Sequence, residues 1–199
     1  MKRVTIAAAL AICATIGTTG FLSLPTLAQS NTETNTQTTP SQETPSRIAN
    51  GARVGQWLVR CDALAVGETV CYLTQKIIRT EDKAGIAEFL AFWNPDFTVS
   101  YVIARVPNGV FLPTGFAMKD RASEERIDFT WQNCSAALCE ALAEIPLTTI
   151  QALETAEAVI AGYKPNRNAQ DLLFQVNFAG ASQGLNALKA ANAARMSKE

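Results

Sequence analysis

The 199 residues contain no histidine. That absence removes the commonest general base, the Ser/His and Cys/His nucleophile pairs, and the most frequent metal ligand. Phosphate-cradling glycine motifs are missing too, since Gly109 and Gly115 stand alone at turns. Neither Asn94-Pro95-Asp96 nor Lys119-Asp120-Arg121 supplies the dense alternation of oxygen ligands around glycine that a calcium loop needs. Lysine and arginine are scattered and form no basic cluster, which argues against nucleic acid as a partner. Carboxylates remain for glycosidase-like acid–base work at Asp62, Asp96, Asp120, Asp128 and Glu140. Their spacing singles out no pair, and each reads as solvated surface charge. The residues therefore name no catalytic, cofactor-binding or metal-ligating position.

What is present begins with an export signal. Lys2 and Arg3 precede an apolar, small-residue-rich run from Val4 to about Leu24, and Thr26-Leu27-Ala28 offers small residues at a cleavage site. Residues 1–28 are thus expected to be a signal peptide, with the mature chain starting at Gln29. The run approaches the length of a membrane span, but Thr15, Thr18 and Thr19 and the cleavage site argue for removal. Ile12 stands before Cys13 where lipoprotein processing wants a small residue, so Cys13 reads as an incidental apolar residue discarded with the signal. Losing Lys2 and Arg3 leaves 15 of 17 basic residues against 18 acidic, a mature charge of about −3.

Residues 29–46 follow as an expected disordered linker. Asn31 to Ser46 is almost wholly Thr, Asn, Gln, Ser, Glu and Pro, with nothing apolar to offset the entropy of ordering. A flexible coil of this length spans roughly 23 Å. From about Arg47 the composition turns globular, and residues 47–190 suit one domain with one core, leaving 191–199 as a C-terminal tail.

Within the domain the dominant signal is the short strand. Trp57, Val59 and Cys61 alternate with Leu58, Arg60 and Asp62, while Cys71, Leu73, Gln75 and Ile77 alternate with Val70, Tyr72, Thr74 and Lys76. Further strand-like runs are 86–93, 98–106, 110–112, 116–119, 126–132, 138–145, 158–163 and 172–178, separated by turn signals such as Pro107-Asn108-Gly109. So many short strands indicate an antiparallel sandwich or barrel. A short helix is expected over 147–153, and a C-terminal one over 182–195 with Ser182 as N-cap, Leu185 and Leu188 on one face, and fraying past Ala190. Trp57, Trp93 and Trp131 could line a groove, but each lies on a strand-like run and reads first as core.

Four of the five cysteines form two close pairs, Cys61 with Cys71 and Cys134 with Cys139. Behind an export signal such pairs are expected to oxidise into structural disulfides. A hairpin over 63–69 can bring the first pair within reach, and the second brackets a tight loop. A redox pair would prefer Cys-x-x-Cys at a helix start, and a zinc site would recruit histidine, so disulfides are favoured over both. Chain-entropy arithmetic assigns about 2.8 kcal/mol to the first ring and about 2.2 kcal/mol to the second.

Read in order, these features resemble the invasion-associated locus B family of exported bacterial proteins. The residues that carry the likeness are Trp57 with Cys61 and Cys71, the stretch Ala104 to Gly115, the pair Cys134 and Cys139, and Phe174 to Gly180 leading into Leu185 to Leu188. Leu138 and Ala181 depart from the family's frequent glycine and aromatic at those places. The resemblance implies an all-β fold, an antiparallel β-sandwich of jelly-roll-like type with one or two short helices, including a C-terminal one. It implies a periplasmic or outer-envelope location in a Gram-negative bacterium, a link in some pathogens to host-cell invasion, and no catalytic residues. The expected function is non-enzymatic binding, without cofactors, of an envelope or host-surface protein or glycan, with membrane contact at most peripheral. The alternatives are a carboxylate-based hydrolase of cell-wall or surface glycans and a periplasmic redox or stress-response factor.

Overall fold

The computed structural model describes residues 48–66 and 68–196. The expected signal peptide, Cys13 and the expected linker lie outside them. The elements are β1 (Arg53–Val54), β2 (Trp57–Ala65), β3 (Glu68–Ile78), β4 (Gly85–Trp93), β5 (Ser100–Pro107), β6 (Phe116–Asp120), β7 (Ile127–Cys134), β8 (Leu138–Ile145), α1 (Leu147–Thr155), β9 (Val159–Tyr163), β10 (Leu172–Val176) and α2 (Ala181–Met196). The strands form one antiparallel sheet in the order β1-β2-β3-β4-β5-β8-β7-β6-β9-β10. The chain meanders from β1 to β5, crosses to β6, returns by hairpins to place β8 beside β5, and then adds β9 to the free side of β6.

The sheet turns a corner at β7. Its first residues, Ile127 to Phe129, pair with β6. Its later ones, from Thr130 onward, pair with β8 in a ladder that carries a register shift between Trp131 and Asn133. The change of partner falls between Phe129 and Thr130, and the bulge just beyond it adds to the bend of the strand. The two halves then face each other across a common core. Phe89 of β4 meets Phe116 of β6 at 5.9 Å and Phe174 of β10 at 6.3 Å, and Phe116 packs on Phe129 at 5.0 Å. The Tyr163 hydroxyl of β9 donates to the Ile86 carbonyl of β4 at 3.1 Å, a polar stitch between the halves. The result is the expected all-β, sandwich-like fold with a C-terminal helix.

Strict alternation made most of these strands. Ser100, Val102, Ala104 and Val106 of β5 are buried while Tyr101, Ile103 and Arg105 are half-exposed, the two-residue period of a sheet with one face on the core. Two expectations fail. Residues 110–112 are not a strand: Pro113 removes a ladder donor, and residues Leu112–Thr114 close a 3-10 turn in which Gly115 N–H returns to the Leu112 carbonyl. Ser182 is not the N-cap of α2, because the helix already includes Ala181. The Ser182 N–H and hydroxyl instead both donate to the Glu154 carboxylate of α1, at 2.8 and 2.6 Å. A carboxylate placed there satisfies orphan donors and complements the helix dipole. The helix also runs past Ala190 to Met196.

Helix α2 seals one end of the sandwich with a stripe of Ala181, Gly184, Leu185 and Leu188, all buried, at the spacing of one helical face. Beside it the domain's first and last segments interlock. Trp57 is fully buried and meets Phe178 edge-on at 5.6 Å. The Gln75 side-chain amide donates to the Asn177 carbonyl at 2.8 Å, and Gln56 N–H donates to the Ala179 carbonyl at 3.0 Å. Gly55 and Gly180 have φ of +59° and +89°, and a Cβ on either would run into the other segment's backbone. Only glycine permits that approach.

Both cysteine pairs are bonded, each between directly opposed residues of an antiparallel ladder, with Cα atoms 4.0 Å apart. Such spacing belongs to the narrow, non-hydrogen-bonded pairing. Accordingly the Cys61 N–H turns away from Cys71 and donates to Asn50 Oδ1 at 3.1 Å. The first bridge sits within the β2–β3 ladder, which continues past it to Ala65 and Glu68, so the loop is shorter than the expected 63–69. The second ties the turn between β7 and β8.

Opening the longer ring should cost more. Cys61→Ser is expected to lose about 2–3 kcal/mol and Cys134→Ser slightly less. Denaturant unfolding without reductant checks the order, and a reversal would mean that packing around buried Cys139 outweighs loop entropy. Burial raises the pKa of the Tyr163 hydroxyl. A phenol whose folded pKa lies above its unfolded value of about 10 contributes stability below that pH and loses it as pH rises through the folded value. Tyr163→Phe should therefore cost about 1–2 kcal/mol at neutral pH, and its deficit against the parent should shrink above about pH 10. A deficit that stays constant across an alkaline denaturation series would remove the linkage.

Candidate functional site

The carboxylates available for catalysis are dispersed, and Asp62, Asp120, Asp128 and Glu140 are individually engaged. Asp62 on β2 accepts the Tyr72 hydroxyl at 2.7 Å, and burial together with that neighbouring carboxylate holds the Tyr72 pKa above its usual value. Asp120 accepts the Ala122 N–H at 3.0 Å and so shapes the turn after β6. Asp128 pairs with Arg126 at 2.6 Å, and Glu140 with Arg105 at 2.7 Å. Asp96 lies exposed in the β4–β5 turn. Among the described residues no cluster of three or more Cys, Asp or Glu side chains could hold a metal ion.

The tryptophans are joints of the fold. Trp57 is core; Trp93 donates its indole N–H to the Leu185 carbonyl of α2 at 2.7 Å and has the Lys189 ammonium 4.8 Å above its ring. Trp131 donates to the Leu112 carbonyl at 3.2 Å. The stretch 104–115 behaves likewise. Asn108 donates its backbone N–H to the Ala137 carbonyl at 3.2 Å, and Phe111 N–H reaches the Lys164 carbonyl at 2.9 Å. That crossover is thereby fixed to the second disulfide hairpin and to the end of β9.

The outer face of the sheet carries further charge. Across β3, β4, β5 and β8, Lys76, Glu88, Arg105 and Glu140 stand opposite one another in a row, with contacts of 3.9, 4.0 and 2.7 Å. Alternating charges at such cross-strand positions stabilise the pairing modestly. A shallow depression of about 270 Å³ lies beside this row, bounded by Ile78 and Leu138.

A larger depression, about 330 Å³, lies on the outer face of β6, β9 and β10. Its floor is Ala117 opposite Gly162, with Leu173 on the far side of Gly162. Register places Lys119, Arg121 and Arg126 at one end and Lys164 with Asp171 at the other. Each depression has one carboxylate in its lining, Asp171 here and Glu88 in the other, so neither assembles the pair that glycoside hydrolysis uses. No tryptophan lines either one. In the sequence, Lys119 and Arg121 stand out only as part of a rejected calcium loop. The alternation of outward Ala117 and Lys119 with buried Phe116 and Met118 was the signal available, but pairing with β9 was needed to make a site of it.

Among the described residues no helix is long and apolar enough to cross a membrane. A search of curated proteins found no match. Among solved structures the fold matches the crystal structure of invasion associated protein B from Bartonella henselae, with a TM-score of 0.59 at 18% identity, over 71% of this chain and 95% of that one. The sequence matches the family model for Invasion associated locus B (IalB) protein over residues 57–189. These limits run from the tryptophan that locks the first segment to the helix that seals the core, and the chain belongs to the invasion associated locus B family.

Proposed function

We propose that this chain is an exported envelope protein that acts by binding, without catalysis, in the periplasm or at the outer-envelope surface. The observation that carries the reading is that its chemistry-bearing side chains are spent on the framework: four cysteines in two cross-strand bridges, and Asp62, Asp120, Asp128 and Glu140 in hydrogen bonds or ion pairs. Paired thiols fit an oxidising compartment. The outer sheet face, with its depressions and exposed charge, is the surface left to meet a partner, an envelope or host-surface protein or glycan. The Bartonella protein is named for an association with invasion, and a host-contact role for this chain would use the same surface.

Fractionation of the native envelope followed by cross-linking should recover the chain in the periplasmic or outer-membrane fraction, joined to a reproducible neighbour. The purified chain should turn over no substrate in a panel of glycans, esters and peptides. Turnover that an Asp or Glu substitution abolishes without unfolding the protein would replace this reading with the hydrolase.

A further inference from the structure

We propose that the depression on the outer face of β6, β9 and β10 binds a small amphiphilic anion: a phosphate or carboxylate head on an apolar tail. This names a ligand class for the binding reading above and rests on it.

Outward positions of a solvated antiparallel sheet are usually polar. Here Ala117, Ile160 and Leu173 make that face apolar, and Leu173 remains 68% exposed. Gly162 lets the leucine lie down on the sheet: a Cβ there would stand 2.5 Å from Leu173 Cδ2, so Leu173 covers the glycine and forms an apolar wall of the depression beside Ala117. At about 330 Å³ the space suits a small ligand.

Charge sets the other half of the ligand. The chain carries 18 acidic residues against 17 basic, yet this depression is lined by four cations and one carboxylate. Three of the cations gather at one end. Arg126 is occupied by Asp128 at 2.6 Å, and Lys119 donates one N–H to the Ser123 carbonyl at 3.1 Å. Arg121 is exposed and its guanidinium has no partner among the described residues. At the opposite end Lys164 sits 5.9 Å from the centre of the Phe111 ring, and Asp171 offsets it. An anionic head is thus drawn to Lys119 and Arg121, where a guanidinium offers charge-assisted hydrogen bonds, and a tail lies along Ala117 and Ile160 against Leu173. A bare anion would leave the floor wet; a neutral tail would leave the cations unused.

The full chain, purified after export, is titrated by calorimetry with dodecyl phosphate and dodecanoate below their micellar concentrations, with inorganic phosphate, and with dodecyl maltoside. Saturable one-to-one binding of the two anionic amphiphiles is expected, with inorganic phosphate and the maltoside at least about tenfold weaker. Arg121→Glu should weaken dodecyl phosphate about tenfold through the head, and Ala117→Leu by a similar factor through the filled floor, both at an unchanged thermal midpoint. If inorganic phosphate binds as tightly as dodecyl phosphate, the tail has no site. Absence of saturation, or affinity unchanged in both variants, overturns the proposal. Should no amphiphile bind while envelope cross-linking still captures a neighbour, the ligand class fails and the binding reading survives.

Discussion

The fold depends on the lock between its first and last segments. A sheet that runs from a two-residue β1 to β10 without closing has two edges and an open end, and hydrophobic burial alone does not say how they are covered. Here the Gly55–Trp57 turn and the stretch before α2 lie backbone against backbone, with Trp57 and Phe178 buried together beneath them. That contact delivers α2 to the open end, where Leu185 and Leu188 complete the core and the Trp93 indole and Lys189 tie the helix to β4 and the turn after it. Glu154 holds the start of α2 from α1, so the helix is anchored from two directions.

The disulfides act on a different part of the problem. Each joins residues already opposed in a ladder, so neither sets the topology. The first keeps β2 and β3 in register beyond the point where the ladder leaves the core, since residues 62 to 66 and 68 to 70 are all exposed. The second fixes the β7–β8 turn that supports Asn108 and the crossover to β6. The lock defines where the ends go; the bridges keep the hairpins from opening.

Much of this was legible in the sequence, for a physical reason. Most strands bury one face, so alternation such as Trp57, Val59 and Cys61 against Leu58, Arg60 and Asp62 announces both the strand and its inward side. Elements determined by distant partners were not legible. Arg53–Val54 is too short to show a period, and Val110 to Leu112 looks apolar but is held by Lys164 from β9's end. Ser182 looks like a cap because its chemistry is right; its partner is a carboxylate 28 residues earlier in the chain, on α1. The site was less legible still. Lys119, Gly162 and Leu173 are unremarkable one at a time, and only the register of β6 on β9 and β9 on β10 makes them neighbours.

A division of labour between the two faces follows. Inward side chains are fixed by packing density, where even a one-methylene change is felt, so the core constrains a narrow set of residues. Outward positions carry no such demand, and a fold can persist while they change. The solved relative fits this picture: at 18% identity it shares the architecture over 71% of the chain, and a likeness of that degree speaks for the framework alone. The character of this chain's outer face is therefore set by its own side chains. On β6, β9 and β10 those are an apolar floor of Ala117, Ile160 and Leu173 and a cationic end in an otherwise slightly acidic chain. Neither is needed by the core, whose residues on the same strands, Phe116, Ala161, Tyr163 and Phe174, point the other way.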